Sequence, residues 1–73
     1  MYTKITRKQF DDFVNWFFVE KLKDGNIRLG KMFLTKFPEI NNELLGHPDG
    51  VTIWMSANDK RMSAYIESKF IRD

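Results

Sequence analysis

His47 is the only histidine in the chain, cysteine is absent, and two close carboxylate pairs stand at Asp11-Asp12 and at Glu39 and Glu43. A histidine beside a carboxylate can serve as a general base, and paired carboxylates can divide acid and base roles. His47 lies in the turn-like run His47-Pro48-Asp49-Gly50, where a solvated polar residue is expected rather than a partnered base. Asp11 and Asp12 fall in the opening turns of a helix, where the macrodipole favours anions. Glu39 and Glu43 are one helical turn apart on a face expected to meet solvent. Thiol nucleophiles and zinc–thiolate centres need cysteine, which the chain lacks. Neither GxGxxG nor GxxxxGK[ST] occurs, so nucleotide binding has no support. The inventory therefore reads as non-enzymatic, with no catalytic, metal or cofactor residues.

Basic residues suggest a different chemistry. Arg28, Lys31 and Thr35 share one helical face with Lys36 nearby, and Lys4, Arg7, Lys8, Lys60 and Arg61 add charge elsewhere. Such a face could approach a phosphate backbone or a major groove. It lacks the Asn, Gln or Ser that base-edge reading normally adds to Arg. Twelve Lys and Arg against ten Asp and Glu give a net charge of only +2, far from a dedicated polyanion binder.

The elements that position these residues are mostly helical. Thr6-Arg7-Lys8-Gln9 fits a capping box, with Ile5 and Phe10 placed as its hydrophobic staple. Lys21 and Lys23 suit the C-terminal end of a helix, and Gly25 is the expected left-handed cap. The first helix is expected over about 7–23. Asn26 can cap a second helix over 27–37, stopped by Pro38. Gly30 in its middle costs about 1 kcal/mol against Ala, which close approach of another helix would offset. Pro38 can open a short helix near 38–45, closed by Gly46. Val51-Thr52-Ile53-Trp54-Met55 alternates like a strand but has no convincing partner. It is read as an extended segment or short helical turn near 51–55 that plugs Ile53 or Trp54 into the core. Ser56 then caps a last helix over about 57–71, with Met62, Tyr65, Ile66 and Phe70 at helical spacing.

These elements predict one all-α domain over 1–73: a compact bundle of three main helices plus a short one. At 73 residues without cysteine, such a domain must find its stability in dense aromatic packing or oligomerisation. No run approaches the apolar length of a membrane span, and MYTKITRKQF carries no signal-peptide core. A cytoplasmic location without membrane association is the expectation.

The first helix carries the densest apolar run. Phe10, Phe13, Val14, Phe17, Phe18 and Leu22 fan across about 180° and are read as one broad core face. Trp16 and Val19 fall outside it. Trp54 has no evident partner strand. Tyr, Trp and Met are enriched in interface cores, so Trp16, Val19 and Trp54 are the candidate partner-binding residues, with Arg28 and Lys31 as a charged rim that steers approach. For Trp16 a second reading stays open, because a bundle of this size can also need it in the core.

The stretch NIRLGKMFLTKFPEINNELLGHPD, together with AYIESKFI, resembles a pattern found in short uncharacterised helical proteins of bacteriophages and prophages. In that pattern an Arg-x-Gly-Gln-x-Phe helix precedes an acidic-leucine turn and a closing helix. Arg28, Gly30, Phe33 and Phe37 match, and Lys31 stands where Gln is usual. The resemblance covers about half the chain and implies a phage-type origin, with no activity carried over. It also implies that Arg28 and Gly30 are architectural: the glycine for helix contact, the arginine for bonding a neighbouring carbonyl or carboxylate. The expected function is that of a phage accessory factor that binds and modulates a host protein. The alternatives are a small nucleic-acid binder using the second helix, or a structural homo-oligomer.

Overall fold

The computed structural model describes residues 3–72. The chain is mainly helical, with five helices and one two-stranded ribbon among the described residues. In order these are β1 (Ile5–Thr6), α1 (Arg7–Lys23), α2 (Leu29–Lys36), α3 (Pro38–Glu43), α4 (Pro48–Met55), α5 (Asp59–Phe70) and β2 (Ile71–Arg72). α2 is the hub, packing against each of the other helices.

α1 starts as its sequence dictates. The Thr6 hydroxyl accepts from the Gln9 amide at 3.1 Å and the Thr6 amide donates to the Gln9 side chain at 2.8 Å, completing the capping box. Its end differs from expectation. Asp24 is the cap residue in extended conformation, and the only positive-φ glycine among the described residues is Gly46, not Gly25. The turn is organised by the Asp24 carboxylate, which accepts from the Asn26 amide at 3.0 Å. Neither Asp11 nor Asp12 lies in the first turn; Asp12 instead pairs with Lys8 one turn earlier.

α2 begins at Leu29 rather than residue 27, and Asn26 does not cap it. The Leu29 amide donates to the Asp59 carboxylate at 3.0 Å, so a side chain from α5 supplies the anion its N-terminus favours. Asp59 also binds Lys21 at 3.0 Å, and the Lys21 ammonium donates to the Ile27 carbonyl at 2.6 Å. These bonds tie α1, the 24–28 turn and α5 together at one corner.

Gly30 meets the expected close approach: a Cβ there would lie 2.0 Å from the Ile53 carbonyl oxygen. The partner element is a helix. Residues 51–55 do not run extended but form the last turns of α4, with Pro48 at its start and the His47 ring accepting from the Asp49 amide at 3.1 Å. Ile53 is fully buried, and burial against α2 outweighs the strand preference of its neighbours. Asn58, not Ser56, caps α5 by accepting from the Arg61 amide at 3.0 Å. α5 ends at Phe70, and Ile71 with Arg72 forms a parallel pair with Ile5 and Thr6.

Phenylalanine rings run through an otherwise aliphatic core. Phe13 meets Phe33 edge-on at 5.6 Å and Phe33 packs on Phe70 at 5.8 Å, within the range where ring pairs add to area burial. From α1 only Phe10, Phe13 and Phe17 are buried, with Val14 and Trp16 partly so. The broad core face expected of that helix is therefore narrower: Phe18 and Leu22 face outward. Ahead of the ribbon, the Thr3 hydroxyl and amide both donate to the Glu43 carboxylate, fastening the N-terminal arm to α3. Those two bonds, the hydroxyl's first, hold the Glu43 carboxyl below its ordinary pKa because they favour the charged form.

Candidate functional site, an apolar groove between α3 and α4

The corner between α3 and α4 is tight for reasons carried by two glycines. Gly46 has φ of 76°, a left-handed conformation that L side chains resist. At Gly50 a Cβ would meet the Leu44 carbonyl at 2.6 Å. The two short helices thus diverge from a fixed hinge and leave an open groove of about 500 Å³ between them. Leu34 and Leu44 are buried at its floor, while Leu45, Val51, Trp54 and Met55 form its walls. Leu45 is 71% exposed and Val51 and Met55 each 63%. Val51, Trp54 and Met55 stand at i, i+3 and i+4 of α4, the spacing of one helical face.

Trp54, 41% exposed, divides this groove from a second recess that holds Arg28 and Lys31. The Lys31 ammonium sits 5.3 Å from the Trp54 ring centroid, a cation–π contact. The Arg28 guanidinium reaches the Met55 carbonyl at 3.4 Å, at the C-terminal end of α4 where a cation is favoured. No carboxylate pairs with Arg28 or Lys31 among the described residues. Asp24 lines the same recess but is engaged by the Asn26 amide. The result is an apolar trough with a cationic lip at the Trp54–Met55 end.

Of the five residues expected to form a partner surface, Arg28, Lys31 and Trp54 come together here. Trp16 does not join them. It is half-buried against the core beside Phe13, ring centroids 6.1 Å apart, with the Lys36 ammonium 4.8 Å above it. Val19 is 52% exposed on α1 beside Phe18 and Leu22, a separate patch in which Leu22 is 89% exposed. Sequence reasoning missed Leu45, Val51 and Met55 at the groove, and Phe18 and Leu22 on α1. The signal for the groove was present: had residues 48–55 been read as a helix from Pro48, the face containing Val51, Trp54 and Met55 would have separated from buried Ile53.

His47 acts locally as the α4 cap, with the Asp49 carboxylate 3.7 Å from the same ring nitrogen. Among the described residues no group of three or more His, Cys, Asp or Glu could hold a metal ion, and no helix is long and apolar enough to cross a membrane. No protein-family model matches the chain, and no curated protein or solved structure does.

Proposed function

We propose that this chain is a small non-enzymatic interaction protein that seats a protein partner in the α3–α4 groove. On this reading α1, α2 and α5 are the three-helix scaffold, and α3 with α4 is the working end. The observation that carries it is the set of large apolar side chains, Leu45, Val51, Trp54 and Met55, exposed around one open groove and held on helices. An aliphatic pocket with Trp54 and Met55 at one end, beside a cationic lip, has the make-up of an interface centre and its rim. Burying one such side chain is worth about 1.5–3 kcal/mol, from which the cost of association is subtracted.

Arg28 and Lys31 act as the rim that orients approach. Their contacts with Met55 and Trp54 turn them toward the groove, which favours this role over tracking a phosphate backbone. The resemblance to short phage and prophage proteins supports a phage accessory factor working in the host cytoplasm, which occludes the surface of a host protein. Occlusion needs only about 800 Å² per partner, within reach of a chain this small.

The test is affinity capture from bacterial lysate with the wild-type chain and with Val51→Glu/Met55→Glu, each with and without nuclease. A protein retained by the wild type, lost with the variant and insensitive to nuclease is expected. Retention that nuclease abolishes would move the function to nucleic acid.

A further inference from the structure

Among the described residues the exposed large apolar side chains fall into two patches of opposite shape. One is the α3–α4 groove. The other is the ridge on α1 formed by Phe18 and Leu22 with Val19 beside them, where Phe18 is 54% exposed. The recess at the foot of Phe18 is shared with α5 and has no lining residue in common with the groove. Both patches sit on helices, so a chain does not fold its own ridge into its own groove. We propose that the ridge of one copy seats in the groove of a second copy, giving head-to-tail self-association.

Dimensions agree. Phe18 and Leu22 are one turn apart, about 6 Å along the axis, and the eight residues of α4 span about 12 Å. Charge agrees as well and sets the direction. Asp11, Phe18 and Leu22 lie within about 40° of one another around α1, with Asp11 about 10 Å beyond Phe18. Asp11 has no ion pair among the described residues, and neither has the Arg28–Lys31 lip. Seating Leu22 near Val51 and Phe18 near Trp54 and Met55 carries Asp11 to that lip. The incoming α1 therefore lies antiparallel to α4.

Area sets the strength. A standard interface of about 800 Å² per partner would take about one-sixth of the 4934 Å² surface. The ridge supplies three large apolar side chains, Phe18, Val19 and Leu22, against roughly 20–30 residues a side in a standard interface, which places the contact among weak, transient ones with Kd of about 10–500 μM. A heterologous contact of this kind leaves one free ridge and one free groove on the dimer, so it grows past a dimer into an open filament or a closed ring. The proposal shares the groove with the functional reading but stands without it: its failure leaves a monomeric chain still able to bind a different protein.

The experiment is sedimentation equilibrium from about 5 μM to about 1 mM, a range set by that affinity. The wild type is expected to show a weight-average mass that climbs past twice the 8.7 kDa chain mass. Phe18→Glu/Leu22→Glu removes the ridge and Val51→Glu/Met55→Glu the groove, all at exposed helical positions. Each variant is expected to stay monomeric alone, while their equimolar mixture forms a dimer that grows no further, because one ridge and one groove remain. Asp11→Asn should weaken wild-type association about two- to fivefold; an unchanged constant would overturn the antiparallel seating. A wild type that stays at monomer mass throughout overturns the proposal, even if a variant fails to fold. Association that persists in the ridge variant, or a mixture that does not complement, overturns it as well.

Discussion

Replacing Gly30 with alanine tests the contact on which the groove depends. α4 carries three of the four exposed groove residues, and α2 holds α4 in place at Gly30. A Cβ there would stand 2.0 Å from the Ile53 carbonyl oxygen and 2.9 Å from its carbon, against ordinary contact that begins at 3.4 Å. The obstacle is helix backbone, which cannot rotate aside, so the two helices must part by roughly 1.4 Å at this point. Overpacking of this kind costs about 1–3 kcal/mol and occasionally more, and a backbone clash belongs at the upper end. Alanine returns about 1 kcal/mol of helix propensity. The net loss is therefore about 2 kcal/mol, a large share of the stability of a chain this size. At about 4–8 °C per kcal/mol, Tm should fall by about 8–16 °C, read by circular dichroism or by denaturant midpoint. Gly25→Ala is the control: a Cβ there meets nothing within 4 Å and the backbone is not left-handed, so it should be neutral or slightly stabilising. A Gly30→Ala chain that melts with or above the wild type would refute the α2–α4 packing and the groove built on it.

Other perturbations separate the remaining contacts. Asp59→Ala removes both the Lys21 ion pair and the acceptor for the Leu29 amide and should cost about 1–3 kcal/mol, whereas Asp59→Asn keeps the acceptor and should lose less in the same denaturation assay. Trp16→Ala should cost about 1–2 kcal/mol for a half-buried ring, clearly less than the about 3–5 kcal/mol of fully buried Phe17→Ala; equal losses would place Trp16 in the core. The depressed Glu43 pKa means that its bonds to Thr3 stabilise the fold above the ordinary value of 4.5 and lose that contribution as pH falls through the lower folded value. Glu43→Gln should therefore flatten the stability–pH curve between 4.5 and the lower folded value without changing its slope on the neutral plateau, as followed by urea midpoints across pH.

Local signals were legible and long-range ones were not. The capping box of α1 and Pro38 at the start of α3 are statements about neighbouring residues, and the structure bears each out; Gly30 announced a close approach but not that its partner is Ile53. Residues 51–55 left an extended segment and a short helical turn both open, because β-branched Val51, Thr52 and Ile53 favour an extended chain locally. Pro48, the His47 cap and burial of Ile53 against α2 decide otherwise. Asn58 and Ser56 are both good caps; the choice follows from where Asp59 must reach Lys21 and Leu29, which no local pattern encodes. The same holds for α2, whose first turn is set by a carboxylate thirty residues away. The ribbon pairs two residues with two from the opposite end of the chain, too short to leave a sequence period. At the candidate site, Arg28, Lys31 and Trp54 were legible from residue type, but the groove joining them required knowing that α4 is a helix. A helical wheel puts Phe18 and Leu22 on the core face because it shows which residues share a side, not how wide a side the neighbours cover.

The α3–α4 groove is the proposed place where this chain meets another protein. A photo-crosslinking amino acid is placed at Met55 in the groove, and at Glu39 and Lys69 outside both the groove and the α1 ridge, in bacterial cells expressing the chain. A discrete covalent adduct with a protein is expected from Met55 and none from the two control positions. Equal adducts from all three positions, or none from Met55 under conditions where the chain is folded and abundant, would contradict it.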